Sequence, residues 1–392
     1  MPEPSFIIAG VRTPIGALGG TLSTVAAPLL GAVCIRHVLS QSGLDANQLD
    51  EVIMGNVVSG GVGQNPARQA AIAAGVPSAV GATTVGKVCG SGLKAVMLAD
   101  QAIRAGDAHA VIAGGMENMS LAPYLLPKAR QGYRMGHGQL IDSMIHDGLW
   151  DAYGSQHMGV FGDQCAAHYQ FSREAQNEFA IRSYQRAQAA MADGTFAKEI
   201  VAVEVPGRGG VTVVSEDEGP ARFNEEKLRT LKPAFGAEGT VTAGNASSVN
   251  DGAAALLIAS KTACEQQSLQ PLARIVGAAT FSQQPEWFTT APIGAIQKLL
   301  QRIGWTVEQT DLFEINEAFA NVSMAAAQDL KIPAEKLNIY GGAIALGHPI
   351  GASGARILVT LLNGLRNTDT RRGIASLCIG GGEAVALAVE LV

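Results

Sequence analysis

The sequence predicts an α/β fold made of two similar halves, with a segment of different character inserted between them. Two observations carry this: a pair of motifs recurs in the same order, and the composition changes in the region separating them. Ser91-Gly92-Leu93-Lys94-Ala95-Val96 opens a helical run, as Ser353-Gly354-Ala355-Arg356-Ile357-Leu358 does in the last third. Downstream of each, an apolar strand ends in glycines and a glutamate. The first reads Ile112-Ala113-Gly114-Gly115-Met116-Glu117, and the second Ser376-Leu377-Cys378-Ile379 followed by Gly380-Gly381-Gly382-Glu383. Helix and strand alternating in both parts favour two layered α/β units.

The elements follow in chain order. A strand-like run covers Phe6 to Val11, a helical stretch lies around residues 27–40, and a second apolar strand covers Glu51 to Gly55. A strong helical run begins at Leu93, and the strand His109 to Ala113 ends at Gly114-Gly115. The stretch between the halves is richer in charge and in Tyr, His and Gln. Its clearest element is an amphipathic helix from Ser172 to Met191, with Ser172 as N-cap and Phe179, Ile181 and Tyr184 on its apolar positions. The Ala-rich run Gly252 to Ser260 then returns the chain to the first half. The organisation expected is residues 1–118 with 249–270 as the N-terminal half, 119–248 as the insertion, and 271–392 as the C-terminal half.

Composition narrows the function. Charged residues are 16%, against about 25% in an average soluble domain, while hydrophobic residues reach 47%. So little charge implies a large buried fraction, for which an extensive subunit interface is a natural place. A net charge of −6 argues against nucleic-acid binding and against a polybasic membrane anchor. No uninterrupted apolar stretch is long enough to cross a bilayer. The opening Met1-Pro2-Glu3-Pro4-Ser5 lacks the charged and apolar regions of a secretory signal, and Glu390-Leu391-Val392 is not a peroxisomal tripeptide. Five widely spaced cysteines without a CxxC pair signal neither zinc nor a redox couple, and fit a cytoplasmic protein with reduced thiols.

Four side chains stand out chemically. Cys89 precedes Gly90-Ser91-Gly92 and a helix, so helix N–H groups and the macrodipole would favour its thiolate and a developing oxyanion. An inert buried cysteine is the competing reading, and Ser91 is the competing nucleophile, although it lacks the GxSxG frame. His348 sits between glycines and a proline, on a loop leading into a helix. Cys378 ends a strand and is followed by three glycines, which let a backbone N–H approach a ligand closely. Asn316 lies where a strand turns into a helix, and there an N-cap role is the default.

Together these segments resemble the thiolases. The resemblance rests on Cys89-Gly90-Ser91-Gly92-Leu93-Lys94-Ala95, Gly114 to Ser120, Asn316-Glu317-Ala318-Phe319-Ala320, Gly341 to Arg356 and Cys378 to Gly382, in order along essentially the whole chain. It implies a thiolase-like fold, with mixed five-stranded sheets in a layered αβαβα core plus an inserted loop domain. The stretch from Trp150-Asp151 to His157-Met158-Gly159 is similar to that of the short-chain biosynthetic branch, which condenses two acetyl-CoA into acetoacetyl-CoA and CoA.

By that resemblance His348 takes the proton of Cys89, Cys89 carries the acetyl group, and Cys378 removes a proton from the second acetyl-CoA. His348 and a water held by Asn316 would stabilise the enolate oxygen, and the N–H groups of Cys89 and Gly380 the tetrahedral intermediate. Both thiols would then sit in electropositive surroundings. Coenzyme A, a substrate, would contact His157, Arg222, Phe235, Ala243, Gly244, Ser247, Ala318 and Phe319. A solvated charge is the plain alternative for Arg222, and simple packing for Phe235. No metal or prosthetic group is implied. The family also implies a homotetramer built as a dimer of dimers, with residues 119–140 as the tetramer contact.

Three positions depart from the family pattern: Gly86, where Asn is common, Phe288, where Met is common, and Glu383-Ala384 after the three glycines. A degradative thiolase of broader chain length is the nearest rival reading. A non-catalytic acyl-CoA or lipid-binding relative is a distant one.

Overall fold

A computed structural model describes residues 3–392; Met1 and Pro2, which begin the N-terminal segment read above, lie outside the described residues. The first half runs β1 (Ser5–Arg12), α1 (Ala27–Ser42), β2 (Glu51–Gly55), α2 (Pro66–Ala73), β3 (Gly81–Val85), α3 (Ser91–Ala105) and β4 (Ala110–Asn118). The inserted segment carries α4 (Met158–Tyr169) and α5 (Arg173–Ala192), the latter capped by Ser172, whose hydroxyl accepts from Ala175 N at 3.1 Å. The chain then returns through β5 (Asn250–Ser260). The second half runs β6 (Ala273–Ser282), α6 (Ala291–Ile303), β7 (Leu312–Ile315), α7 (Ala320–Leu330), α8 (Ser353–Asn367), β8 (Arg372–Ile379) and β9 (Glu383–Leu391).

Strand pairing makes the duplication explicit. In the first half β1 lies antiparallel to β5 and β5 to β4, then β4, β2 and β3 run parallel. In the second half β6 lies antiparallel to β9 and β9 to β8, while β8 and β7 run parallel. The fifth place there is taken by Leu337, which makes a single parallel bridge to Phe313. The two sheets are not separate. Phe6 pairs with Arg274 and Ile7 with Ala273, so β1 and β6 join them edge to edge.

The layers follow from which faces are apolar. Leu93, Val96 and Ile103 of α3 and Ile357, Leu358 and Leu361 of α8 share one core with inward residues of both sheets, such as Val111, Leu256, Leu377 and Leu387. Helices α1 and α2 cover the outer face of the first sheet, and α6 and α7 that of the second. The order is therefore αβαβα, with α3 and α8 in the middle. Both central helices begin beside the functional site.

Their approach depends on glycine. A Cβ on Gly354 would stand 2.3 Å from the backbone nitrogen of Leu93, and one on Gly92 would stand 2.8 Å from that of Ala355. Backbone atoms cannot swing aside as a side chain does. Gly354→Ala is expected to cost about 2–3 kcal/mol through overpacking, read as a lower midpoint in urea unfolding. An unchanged midpoint would show that the helices separate freely.

Buried charge ties the insertion to the core. Arg12 is fully buried at the end of β1, with Nε 2.6 Å from Glu199 and Nη1 2.7 Å from Asp217. Asp217 also accepts from Ile15 N at 2.8 Å. Each charge has its counter-charge and hydrogen bonds, the condition for tolerating ions away from water.

Candidate active site

Cys89 lies in the turn between β3 and α3. Val88, just before it, has φ +44°, a left-handed conformation that strains a β-branched residue. The turn is locked by Gly90 N to Lys87 O at 3.0 Å and Ser91 N to Val88 O at 3.1 Å. The Ser91 hydroxyl accepts from Lys87 N at 2.8 Å and donates to Val88 O at 2.7 Å. Ser91 is fully buried and committed to the backbone, which leaves Cys89, half-buried, as the presented nucleophile.

His348 is held from several directions. Its backbone N–H donates to Asn250 Oδ1 at 2.9 Å. Gly347, at φ +112°, has no room for a Cβ, because Asn250 Cγ would be 2.3 Å away. The Ser353 hydroxyl gives its proton to Pro349 O at 2.9 Å, so at 2.5 Å from His348 Nδ1 it acts as acceptor. Nδ1 therefore carries the hydrogen and Nε2 presents its lone pair, buried and without a protein partner among the described residues. Burial, then the positive charge of Arg356, lowers the imidazole pKa to about 3. This is a neutral base.

Glu117, from the first repeat of the strand-glycine-glutamate motif, braces the same loop. It is fully buried and accepts from Gly351 N at 2.9 Å, Val57 N at 3.0 Å and Asn56 Nδ2 at 2.7 Å. Burial pushes its pKa up to about 7.

Cys378 ends β8 among Phe161, Phe288, Phe319 and Val322, fully buried. Burial, and then the neighbouring Cys89, push its thiol well above the ordinary range. Burial also raises the Cys89 thiol, to about 11, against the lowering effect of the Gly380 N–H that reaches it. The electropositive surroundings expected of both thiols are thus not what the fold provides. Apolar desolvation outweighs the helix-end donors: Cys378 lies among aromatic rings, and Cys89 packs against Val58, Met119 and Ile350. Alkylation of Cys89 by iodoacetamide should accordingly accelerate about tenfold per pH unit between pH 7 and 9. A rate that levels off near pH 8.5 would contradict this; the other four cysteines are buried.

Asn316 is not a helix cap. Helix α7 starts at Ala320 with Phe319 in the cap position. Asn316 N–H instead donates to Ser376 O at 3.0 Å, continuing the pairing of β7 with β8. Its side-chain Oδ1 and Nδ2 are both buried and have no protein partner among the described residues.

A mostly apolar cavity of about 310 Å³ brings Cys89, His348 and Gly380 onto one surface. Its walls include His157, Phe235, Ala243, Ser247, Ala318 and Phe319. His157 stacks on Phe235 at 4.6 Å between ring centroids, and its Nδ1 accepts from Gly159 N at 3.1 Å. The Ser247 hydroxyl donates to Ala318 O at 3.1 Å. Four residues singled out from the sequence are not part of this surface: Cys378, Asn316, Gly244 and Arg222. Gly244 packs against Leu228 and Leu231, and Arg222 is exposed, 3.5 Å from Glu218.

The cavity also takes Leu149 and Ala234, which lie outside every motif, and Met119 and Ile350, which lie within motifs but carry no assigned role. Ser353 was missed as well, although a hydroxyl five residues after a loop histidine was a readable signal. Phe288 lines the wall and packs edge-on to Phe161 at 6.1 Å and Phe319 at 6.4 Å. Gly86 has open space where a Cβ would stand, so sterics do not demand glycine there.

Comparison with known proteins agrees with this geometry. The family model for the thiolase N-terminal domain matches residues 5–262, and that for the C-terminal domain matches 269–391. An acetyl-CoA acetyltransferase of Pseudomonas aeruginosa is 52% identical over 383 residues, 97% of this chain and 98% of its own. One from Cupriavidus necator is 50% identical over 386 residues, 98% of each. The crystal structure of the Bacillus anthracis acetyl-CoA acetyltransferase superposes with a TM-score of 0.98 at 40% identity, covering 100% of this chain and 99% of that one. Matched through both halves of its duplicated fold, the chain belongs to the thiolase family.

Proposed function

We propose that this protein is an acyltransferase that condenses two acetyl-CoA into acetoacetyl-CoA and CoA, reversibly, through an acetyl group held on Cys89. The observation that carries the reading is an apolar cavity onto which Cys89, His348 and the Gly380 N–H open together, with Cys378 beside Cys89. Relatives named acetyl-CoA acetyltransferase, at about half identity over nearly the full chain, support the substrate.

The proton balance follows from the groups present. His348 Nε2 takes the Cys89 proton as sulfur attacks the acetyl carbonyl. The departing coenzyme thiolate leaves with the proton of Cys378. Cys378, now a thiolate in a dry site, is a strong base and removes a methyl proton from the second acetyl-CoA. The protonated His348 and a water held by the amide of Asn316 stabilise the enolate oxygen. Carbon attacks the acetyl-Cys89 carbonyl, and the departing Cys89 sulfur takes the proton back from His348. The N–H groups of Cys89 and Gly380 stabilise the tetrahedral oxyanion. No step calls for a metal or a prosthetic group.

The coenzyme lies along the His157–Phe235 and Ser247–Phe319 walls, with Gly244 and Arg222 toward its nucleotide end. The protein acts in the cytoplasm as a dimer of dimers. Leu121, Tyr124, Leu126, Met135 and Leu140, all exposed, support a tetramer contact over 119–140. Among the described residues no helix is long and apolar enough to cross a membrane. The aromatic wall of Phe288 and Phe319, with Phe161 packed against Phe288, favours a short acyl group. Thiolysis of acetoacetyl-CoA should therefore exceed that of a six-carbon 3-ketoacyl-CoA by about tenfold or more in kcat/KM. Equal rates would make the enzyme a broad-range degradative thiolase instead.

A further inference from the structure

We infer that the Lys87–Glu383 ion pair is a positioning device that sets the distance between the nucleophile turn and the glycine hairpin supplying the Gly380 N–H. The inference rests on the function proposed above and concerns the same site. Lys87 stands two residues before Cys89, and Glu383 is the first residue after Gly380-Gly381-Gly382. The Lys87 Nζ meets Glu383 Oε2, a contact spanning 296 positions of sequence. Among the described residues it is the one hydrogen bond between two side chains that joins 86–90 to 380–384.

The hairpin needs such a tether. Gly381 and Gly382 have φ +88° and +85°, so this turn is built from the most permissive residue type. Its far side is fixed by Gln283 N donating to Gly382 O at 2.8 Å, and by Ser282 Oγ donating to Glu383 Oε1 at 3.4 Å. Its near side faces Cys89, where the Gly380 N–H reaches the sulfur. Lys87 is anchored in turn, because its N–H donates to Ser91 Oγ at 2.8 Å within the locked turn. The pair therefore connects two rigid anchors across the gap in which the tetrahedral oxyanion forms. Lys94, one turn into α3, is the other titratable group beside Lys87, and its pKa is lowered by burial and by that neighbour.

A partly exposed ion pair adds little to global stability, but a small misplacement of an oxyanion donor is expensive in rate. Neither side chain lines the cavity, so substrate binding should be spared. Glu383→Gln and Lys87→Met are each expected to lower kcat about tenfold, with KM for acetoacetyl-CoA changed less than twofold and the melting temperature moved by no more than ~2 °C. The reversed pair, Lys87→Glu with Glu383→Lys, should recover most of the lost kcat. Single variants with full kcat, or a reversed pair no better than the singles, would overturn the inference. So would a loss that follows melting temperature, which marks a merely structural contact. If the wild-type protein itself fails to acetylate Cys89 with acetyl-CoA, the proposed function fails first, and the two failures are told apart.

Discussion

Cys89→Ala should abolish both condensation and thiolysis, lowering kcat by about 10⁴-fold or more. The covalent route splits a difficult carbon–carbon step in two, and without sulfur there is no atom to carry the acetyl group between them. The substitution should leave the fold intact. The turn around Cys89 is closed by backbone bonds and by Ser91, whose two hydrogen bonds do not involve the thiol. Coenzyme binding should also persist, since the His157–Phe235 stack and the Ser247–Ala318 bond are untouched. Melting temperature and coenzyme affinity are therefore the controls, and steady-state turnover with loss of the acetyl-enzyme mass is the readout. Residual turnover above about 1% of wild type would mean that another group accepts the acyl chain, and the assignment of Cys89 would fall.

The fold was legible because its repeat is written in local chemistry. Ser-Gly opens both central helices, since glycine alone allows Gly92 and Gly354 to cross so closely. Strand-glycine-glutamate closes the strands that follow. Yet the two glutamates do different work: Glu117 is buried and braces the His348 loop, while Glu383 pairs with Lys87 near the surface. No local pattern separates those fates, which depend on what the other half of the molecule places opposite each. The four reactive side chains were likewise visible as types, but not their environment. Proximity to a helix start suggested an acidic Cys89, yet burial raises it, and around Cys378 the rings of Phe161, Phe288 and Phe319, from three distant segments, exclude water. Asn316 looked like a cap by its neighbours, and only the pairing of β7 with β8 keeps it extended and its amide free.

That environment gives Cys378 its importance. Cys378→Ala is expected to leave acetyl transfer from acetyl-CoA to Cys89 within about tenfold of wild type while lowering condensation by about 10³-fold, the scale of a lost general base. A thiol in water would be a weak base for a carbon acid. One whose pKa is driven up by burial, and further by Cys89 alongside, is matched to the task once it has given up its proton. The sites of the two steps also differ in what they need. Acetylation uses the Nε2 lone pair of His348, held in place by Ser353, and the Gly380 N–H on sulfur. Neither depends on the Cys378 side chain except to protonate the departing coenzyme, which water entering the shortened site can do. The measurement is a single-turnover assay following acetyl-Cys89 by mass, beside exchange of deuterium into the methyl group of acetyl-CoA. Acetylation with no methyl exchange identifies Cys378 as the carbon base. Loss of acetylation in step with condensation would instead make it the proton source of the first step alone, and the base for the second would have to be sought in His348.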